Sequence, residues 1–162
     1  MVKVDVNKQA PDFTLPDFEG NPFQLSSYRG KKNILLVLNK GFLCPFCQRH
    51  MMQLHRDMEK FEKQDTIIVT IGPENTNSFI KYWSKHELAF CGIPDEKHIV
   101  SELYGQEVKA FKLGRLPAQM IIDKEGLLRY VHYGRNMEDI PSNEELLSVV
   151  ASLDQGTVQD NK

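Results

Sequence analysis

A chain of 162 residues, 41% of them hydrophobic, has the size of one domain with a core of its own and needs no disulfide scaffold to fold. Its 20 Lys and Arg against 22 Asp and Glu leave a formal charge of −2, which excludes the strongly basic face that binds nucleic acid or an anionic membrane. Three cysteines are too few for a secreted disulfide framework, so the expectation is a cytoplasmic chain whose thiols are reduced unless they are catalytic, with small molecules or proteins as partners.

Met1 to Gln9 alternate valine with polar residues and lack the apolar stretch of a secretory signal, and no later run approaches membrane-spanning length. From Ala10 to Tyr28, Pro11, Pro16, Gly20 and Pro22 separate isolated aromatics, a pattern of short extended pieces and turns. Ile34 to Leu38 is continuously apolar, the mark of a parallel strand covered on both faces. Between Pro45 and Lys63, Cys47, Met51, Leu54, Met58 and Phe61 recur at helical spacing, and Pro45 suits the first turn, so one helix is predicted to start beside Cys44. Ile67 to Ile71 reads as a second strand. Ser78 to His86 reads as a second helix with Phe79, Ile80 and Trp83 toward the sheet, which completes a crossover unit.

His98 to Tyr104 predicts a short helix, and Met120–Ile122 with Leu127–Tyr133 a hairpin across the Asp123-Lys124-Glu125-Gly126 turn. Asn143, preceded by Pro141 and Ser142, is expected to cap a final helix carrying Leu146, Leu147, Val149 and Val150. The order predicts an α/β fold with an antiparallel hairpin at its end, folded over residues 1–153 with a flexible tail at 154–162.

The chemistry gathers at Cys44-Pro45-Phe46-Cys47, directly after a buried strand and at the mouth of a helix. Disulfide exchange needs a thiolate, and the unpaired N–H groups and dipole at a helix N-terminus stabilise one. A free thiol is about 3% ionised at pH 7 and one tuned to a pKa of about 7 is half ionised, a difference of about 2 kcal/mol. The two-residue spacing lets the second sulfur reach the first, so a mixed disulfide resolves internally. In the helical pattern Cys47 heads the apolar stripe and Cys44 sits at an exposed tip, which makes Cys44 the attacker and Cys47 the resolving thiol. Arg49 and His50, one turn along, are candidates for added positive charge near the sulfurs. A metal site is a rival reading, since Cys44, Cys47, His50 and His55 are all ligand types; on one continuous helix, however, His55 would stand about 10 Å or more beyond the sulfurs.

Pro117, in Arg115-Leu116-Pro117-Ala118, stands at the entrance of a predicted strand, where proline avoids the ladder interior. A cis bond there would turn main-chain groups toward the cysteines. Cys91 lies among apolar neighbours and reads as a small core residue, with a remote resolving thiol as its second reading. Trp83, Met51, Met52 and Met58 read as packing, and nothing in the pattern calls for a cofactor.

These features in this order resemble the peroxiredoxin branch of the thioredoxin superfamily, the alkyl hydroperoxide reductase and thiol-specific antioxidant group, and its relatives the thioredoxin-like thiol:disulfide reductases. The landmarks are Ala10-Pro11-Asp12-Phe13-Thr14-Leu15, Gly20 to Leu25, the apolar strand before Cys44, Tyr104-Gly105, and Ile121-Ile122-Asp123-Lys124-Glu125-Gly126. The resemblance implies a thioredoxin fold, a central mixed sheet flanked by helices with an N-terminal extension and an inserted helix. It implies a thiol enzyme that reduces hydroperoxides or, in the alternative, protein disulfides. An external reductant such as a thioredoxin, and a homodimer, fall within the same resemblance. The catalytic couple would be Cys44 and Cys47, with Pro45, Phe46, Arg115, Leu116 and Pro117 shaping the site. Peroxiredoxins resemble one another in a Pro-x-x-x-Thr-x-x-Cys site and an arginine ahead of the late strand; this chain has Lys40 in place of that proline and Cys44 in place of that threonine. In that register Cys47 falls on the peroxide-reacting cysteine, whereas the thioredoxin-like register makes Cys44 the attacker, and the sequence leaves both open. Pro117 takes the position of the thioredoxin cis-proline, with Arg115 as a displaced candidate for the arginine.

Overall fold

The computed structural model describes residues 2–109 and 114–160. The chain opens with an antiparallel hairpin of β1 (Thr14–Pro16) and β2 (Pro22–Gln24), followed by a single 3-10 turn, Leu25–Tyr28. Next come β3 (Asn33–Leu38), α1 (Pro45–Arg56), α2 (Met58–Glu62), β4 (Thr66–Gly72), α3 (Thr76–His86), β5 (Cys91–Pro94) and α4 (Ile99–Leu103). A short pair, β6 (Val108–Lys109) and β7 (Gly114–Arg115), precedes β8 (Ala118–Ile122), β9 (Leu128–Tyr133) and α5 (Asn143–Asp160).

Five strands form the central sheet in the order β5-β4-β3-β8-β9. The crossovers make β3, β4 and β5 parallel, whereas β8 runs antiparallel to β3 and β9 antiparallel to β8. Every residue of the central strand β3 is buried, because both faces are covered. The period of two then divides its side chains. Leu36 and Leu38 join Val69, Ile71, Met120, Phe13, Phe23 and Tyr104 on one face, while Leu35 and Val37 meet Met51, Leu54, Phe61, Phe79, Trp83, Leu146 and Val150 on the other. The sheet is thus sandwiched between α1, α2, α3 and α5 on one side and the N-terminal hairpin with α4 on the other.

The single helix predicted over 45–63 is in fact two, broken at Asp57 (φ −102°, ψ 12°). The cause is tertiary. Asn143 Nδ2 donates to the Asp57 carboxylate at 2.9 Å and to the Gln53 carbonyl at 2.8 Å, which draws the end of α1 onto the start of α5. With the Asn143 amide engaged there, Ser142 rather than Asn143 receives the first-turn N–H, that of Glu145, at 3.1 Å. The backbone of α5 stays helical to Asp160, across most of the stretch that the sequence pattern assigns to a tail.

Strand β5 was not expected from the sequence. It is short and holds Gly92 and Pro94, and it is tolerated because it lies at the sheet edge, where a proline breaks no ladder on its open side. A Cβ at residue 92 would stand 2.6 Å from the Trp83 ring, so only glycine lets α3 pack this closely. On α3, Phe79 and Trp83 are buried as expected, but Ile80 faces solvent. Cys91 is half-buried at the edge of the first core.

Candidate active site

The loops that leave the parallel strands β3 and β4 lie side by side at the strands' carboxyl ends, the crevice where α/β sheets place their ligands. Asn39 extends the ladder by donating its N–H to the Ile71 carbonyl at 2.9 Å, and its side-chain amide reaches Met51 Sδ on α1 at 3.2 Å. Gln106 then fastens the base of the loop, its amide reaching the carbonyls of Leu38 (3.3 Å), Asn39 (3.2 Å) and Leu116 (2.7 Å). A tight turn returns the Cys44 N–H to the Gly41 carbonyl at 3.3 Å, and the Cys44 carbonyl accepts the first helical bond, from Gln48, at 3.0 Å. Cys44 is the N-cap of α1 with Pro45 in the first turn, and the Gln48 side chain reaches back to the Phe42 carbonyl.

This geometry brings Cys44 and Cys47 together as free thiols whose side chains hydrogen-bond to each other. The Cys47 sulfur also accepts the backbone N–H groups of Lys40 and Gly41. Cys47 is fully buried. Cys44, expected at an exposed tip, is only 5% exposed; the residue that projects is Leu43, 96% exposed. The turn at Gly41–Cys44 folds Cys44 inward against Cys47 and throws its neighbour outward. Burial, with a charge on Cys44, pushes the Cys47 thiol up to about 12, against the opposing pull of the two N–H groups.

Two residues that sequence reasoning missed wall this site. Glu74, just past the end of β4, accepts the Phe42 N–H at 2.9 Å, and a Cβ on Gly41 would stand 2.9 Å from the same carboxylate oxygen. Burial raises its pKa, while the Phe42 N–H and the charge of Arg115 act the other way. Tyr82 on α3 stacks on Phe42, with ring centroids 4.4 Å apart and planes at 13°, and Phe79 meets Phe42 edge-on at 4.8 Å. The signal for Glu74 was available in its place after a parallel strand; Tyr82 carried none, because the apolar face of α3 is read from Phe79 and Trp83.

Other expected site residues fall around the couple. Phe46 is half-buried and Pro45 exposed. Leu116 is buried, and Pro117, buried too, lies one position past the Leu38–Ala118 register pair, opposite Asn39 at the base of the cysteine loop. The bond before Pro117 is trans, so the turn of the main chain that a cis bond would give is absent there: β8 enters the sheet straight from β7, and the Pro117 carbonyl accepts the Gly134 N–H at 2.8 Å. Arg115 is 2% exposed and turned toward α4, donating to the Asp95 carbonyl at 2.8 Å and standing 2.6 Å from His98 Nδ1, while its charge reaches Glu74. Cys44, Cys47, His50 and His55 do not converge: among the described residues no three His, Cys, Asp or Glu side chains are grouped to hold a metal ion.

Arg49 points to solvent, and His50 lies inside the protein without a partner at either ring nitrogen among the described residues. Burial pushes His50 down to about 4, so it is neutral and lends the sulfurs no charge. The consequence is a pH-dependent stability. An unfolded imidazole takes its proton at about pH 6.5 and the folded one only near 4, so stability is full above about 6.5 and falls as pH drops through that window, by about 2 kcal/mol at pH 5. Urea midpoints at about pH 7 and about pH 5 should show this loss in the wild type and not in His50→Gln; an equal loss in both would contradict it.

A mixed sheet carrying a Cys-x-x-Cys dithiol at a helix N-terminus, with the two sulfurs in contact, defines a thiol oxidoreductase of thioredoxin fold. The mitochondrial 2-Cys peroxiredoxin of Plasmodium falciparum shares the fold with a TM-score of 0.82 at 18% identity, over 95% of this chain and 96% of that one. In sequence the chain is 28% identical to the chloroplastic peroxiredoxin Q of Sedum lineare over 93% of its own length and 80% of the relative's. It is 32% identical to the thiol-disulfide oxidoreductase ResA of Geobacillus kaustophilus over 88% of its length and 78% of the relative's. Residues 6–131 match the AhpC/TSA family, and the chain belongs to that family as a thiol-dependent oxidoreductase of the peroxiredoxin class.

Proposed function

We propose that the protein reduces hydroperoxides with the Cys44–Cys47 couple, Cys47 reacting first. The observation that supports this most is the contact of the two sulfurs together with the N–H groups of Lys40 and Gly41 on Cys47. Those two donors favour negative charge on that sulfur, against burial and the neighbouring Cys44, which hold the proton on it. The Cys47 thiolate attacks the peroxide; an S–O bond forms, the O–O bond breaks, and the departing oxygen takes up a proton as water or alcohol. The Cys44 thiol then displaces water from the Cys47 sulfenic acid, forming the disulfide. An external dithiol protein of thioredoxin type attacks at Cys44, the sulfur nearer the surface, and leaves oxidised. This cycle suits a reducing compartment such as the cytoplasm; among the described residues no helix is long and apolar enough to cross a membrane.

One observation favours a second chemistry of the same couple. Leu43 projects from the protein beside Cys44, an apolar contact for a protein disulfide that Cys44 would attack, with Cys47 resolving. Stopped-flow oxidation of the reduced protein separates the two. The peroxidase reading expects hydrogen peroxide to consume the couple at least about a hundredfold faster than it consumes free cysteine. No acceleration over free cysteine, together with brisk reduction of insulin disulfides, would overturn that reading in favour of the second.

A further inference from the structure

The loop that carries the couple lies across α3 through one residue, Phe42, and the ring beneath it is Tyr82. The ring is well used in packing; its hydroxyl is not. That oxygen is buried and has no hydrogen-bond partner among the described residues, an uncommon state for a phenol, which is both donor and acceptor. It lies within electrostatic reach of Cys47 and of Glu74. Of the two Glu74 oxygens, Oε2 accepts the Phe42 N–H at 2.9 Å, and the buried Oε1, like the phenol, has no hydrogen-bond partner among the described residues. The backbone donors on Cys47, from Lys40 and Gly41, both come from the loop. Tyr82 belongs to α3, so it adds a donor from outside the loop.

The chemistry needs such a donor. As the O–O bond breaks, charge grows on the departing oxygen, and a hydrogen bond fixed in place lowers the barrier more than one that must reorganise. Where the family carries a threonine hydroxyl, this chain has the Cys44 thiol, a weaker donor that is also consumed as the resolving group. We propose that Tyr82 is a catalytic residue of this chain: its hydroxyl donates a hydrogen bond to the departing oxygen of the hydroperoxide while Cys47 attacks, a role that rests on the peroxidase reading. The electron pair of the O–O bond passes to the departing oxygen, which takes its proton from solvent, and Tyr82 keeps its own. Burial and the neighbouring Cys47 and Glu74 push the phenol up to about 12, so it remains a donor throughout the neutral range.

Tyr82→Phe removes the hydroxyl and leaves the stack on Phe42. Oxidation of the reduced variant by hydrogen peroxide should slow about 10- to 100-fold with an unchanged thermal melt. A purely structural role would slow all peroxides alike. Here the ratio of wild-type to variant rates should be largest for tert-butyl hydroperoxide and hydrogen peroxide, whose departing oxygens are strongly basic, and smallest for peracetic acid, whose departing carboxylate needs little help. Fluorotyrosine at position 82, which keeps the donor, should retain the wild-type rate and serves if the phenylalanine variant does not fold. A fast wild type with an equally fast Tyr82→Phe, or one ratio for all three peroxides, overturns the role of Tyr82 alone. A wild type slow with every peroxide overturns the peroxidase reading beneath it.

Discussion

Cys47→Ser should lose the rapid reaction with hydrogen peroxide, by at least about a thousandfold, while Cys44→Ser should keep one fast oxidation and then stop. The difference follows from the surroundings of the two sulfurs. Cys47 lies under the N–H groups of Lys40 and Gly41, whereas Cys44 caps the helix and stands closer to the surface. A hydroxyl at position 44 restores the residue type that the family resemblance places there, so the variant offers a donor to the Cys47 thiolate. It cannot form the disulfide, and the sulfenic acid on Cys47 persists. Intact mass after a brief peroxide pulse with a sulfenic-acid trap reads this directly: an adduct on Cys47 in Cys44→Ser, and none on Cys44 in Cys47→Ser. The opposite pattern would give Cys44 the first step and support the thioredoxin-like order.

The parts of this architecture that can be read locally were legible in the sequence. Ile34 to Leu38 announces a strand buried on both faces because its neighbours are parallel β4 and the entering β8, and the Asp123–Gly126 turn fixes the last hairpin by its own hydrogen bonds, such as Asp123 Oδ1 accepting the Glu125 N–H at 2.9 Å. What was not legible depends on groups far apart in the chain. The helix breaks at Asp57 because Asn143 bonds to it from the other end of the molecule. β5 is hidden by Gly92 and Pro94, residues that argue against a strand until Trp83 and the sheet edge are in place. In the site, the Cys-x-x-Cys spacing located the couple but not its burial, since an N-terminal helix position is commonly exposed and here the Gly41–Cys44 turn folds it inward. Glu74 and Tyr82 act on the cysteine loop from other elements, so Glu74 was signalled only by its place after a parallel strand and Tyr82 not at all.

Burial of both sulfurs means that a bulky reagent or a protein partner reaches them only when the loop opens, and Phe42 is what holds it shut. Its ring is buried among Phe79, Tyr82 and Trp83, its N–H is held by Glu74, and its carbonyl by Gln48. Phe42→Ala should therefore lower stability by about 3–5 kcal/mol, the usual cost of emptying a buried phenylalanine site. If as little as about 1.4 kcal/mol of that acts on the closed loop, thiol alkylation by iodoacetamide rises about tenfold. The peroxide reaction should move the other way. Opening the loop carries the Lys40 and Gly41 N–H groups away from Cys47, and a flexible loop stabilises the thiolate less than a fixed one. Faster alkylation with slower peroxide oxidation is thus the signature of a loop whose closed form is the reactive one toward small oxidants and whose open form serves larger partners. The single tryptophan, Trp83, with its ring centroid 5.9 Å from that of Phe42, gives an independent reading: its fluorescence should change when the wild type is oxidised to the disulfide, and little in Phe42→Ala. Alkylation and peroxide rates that rise together would show instead that the closed loop only obstructs.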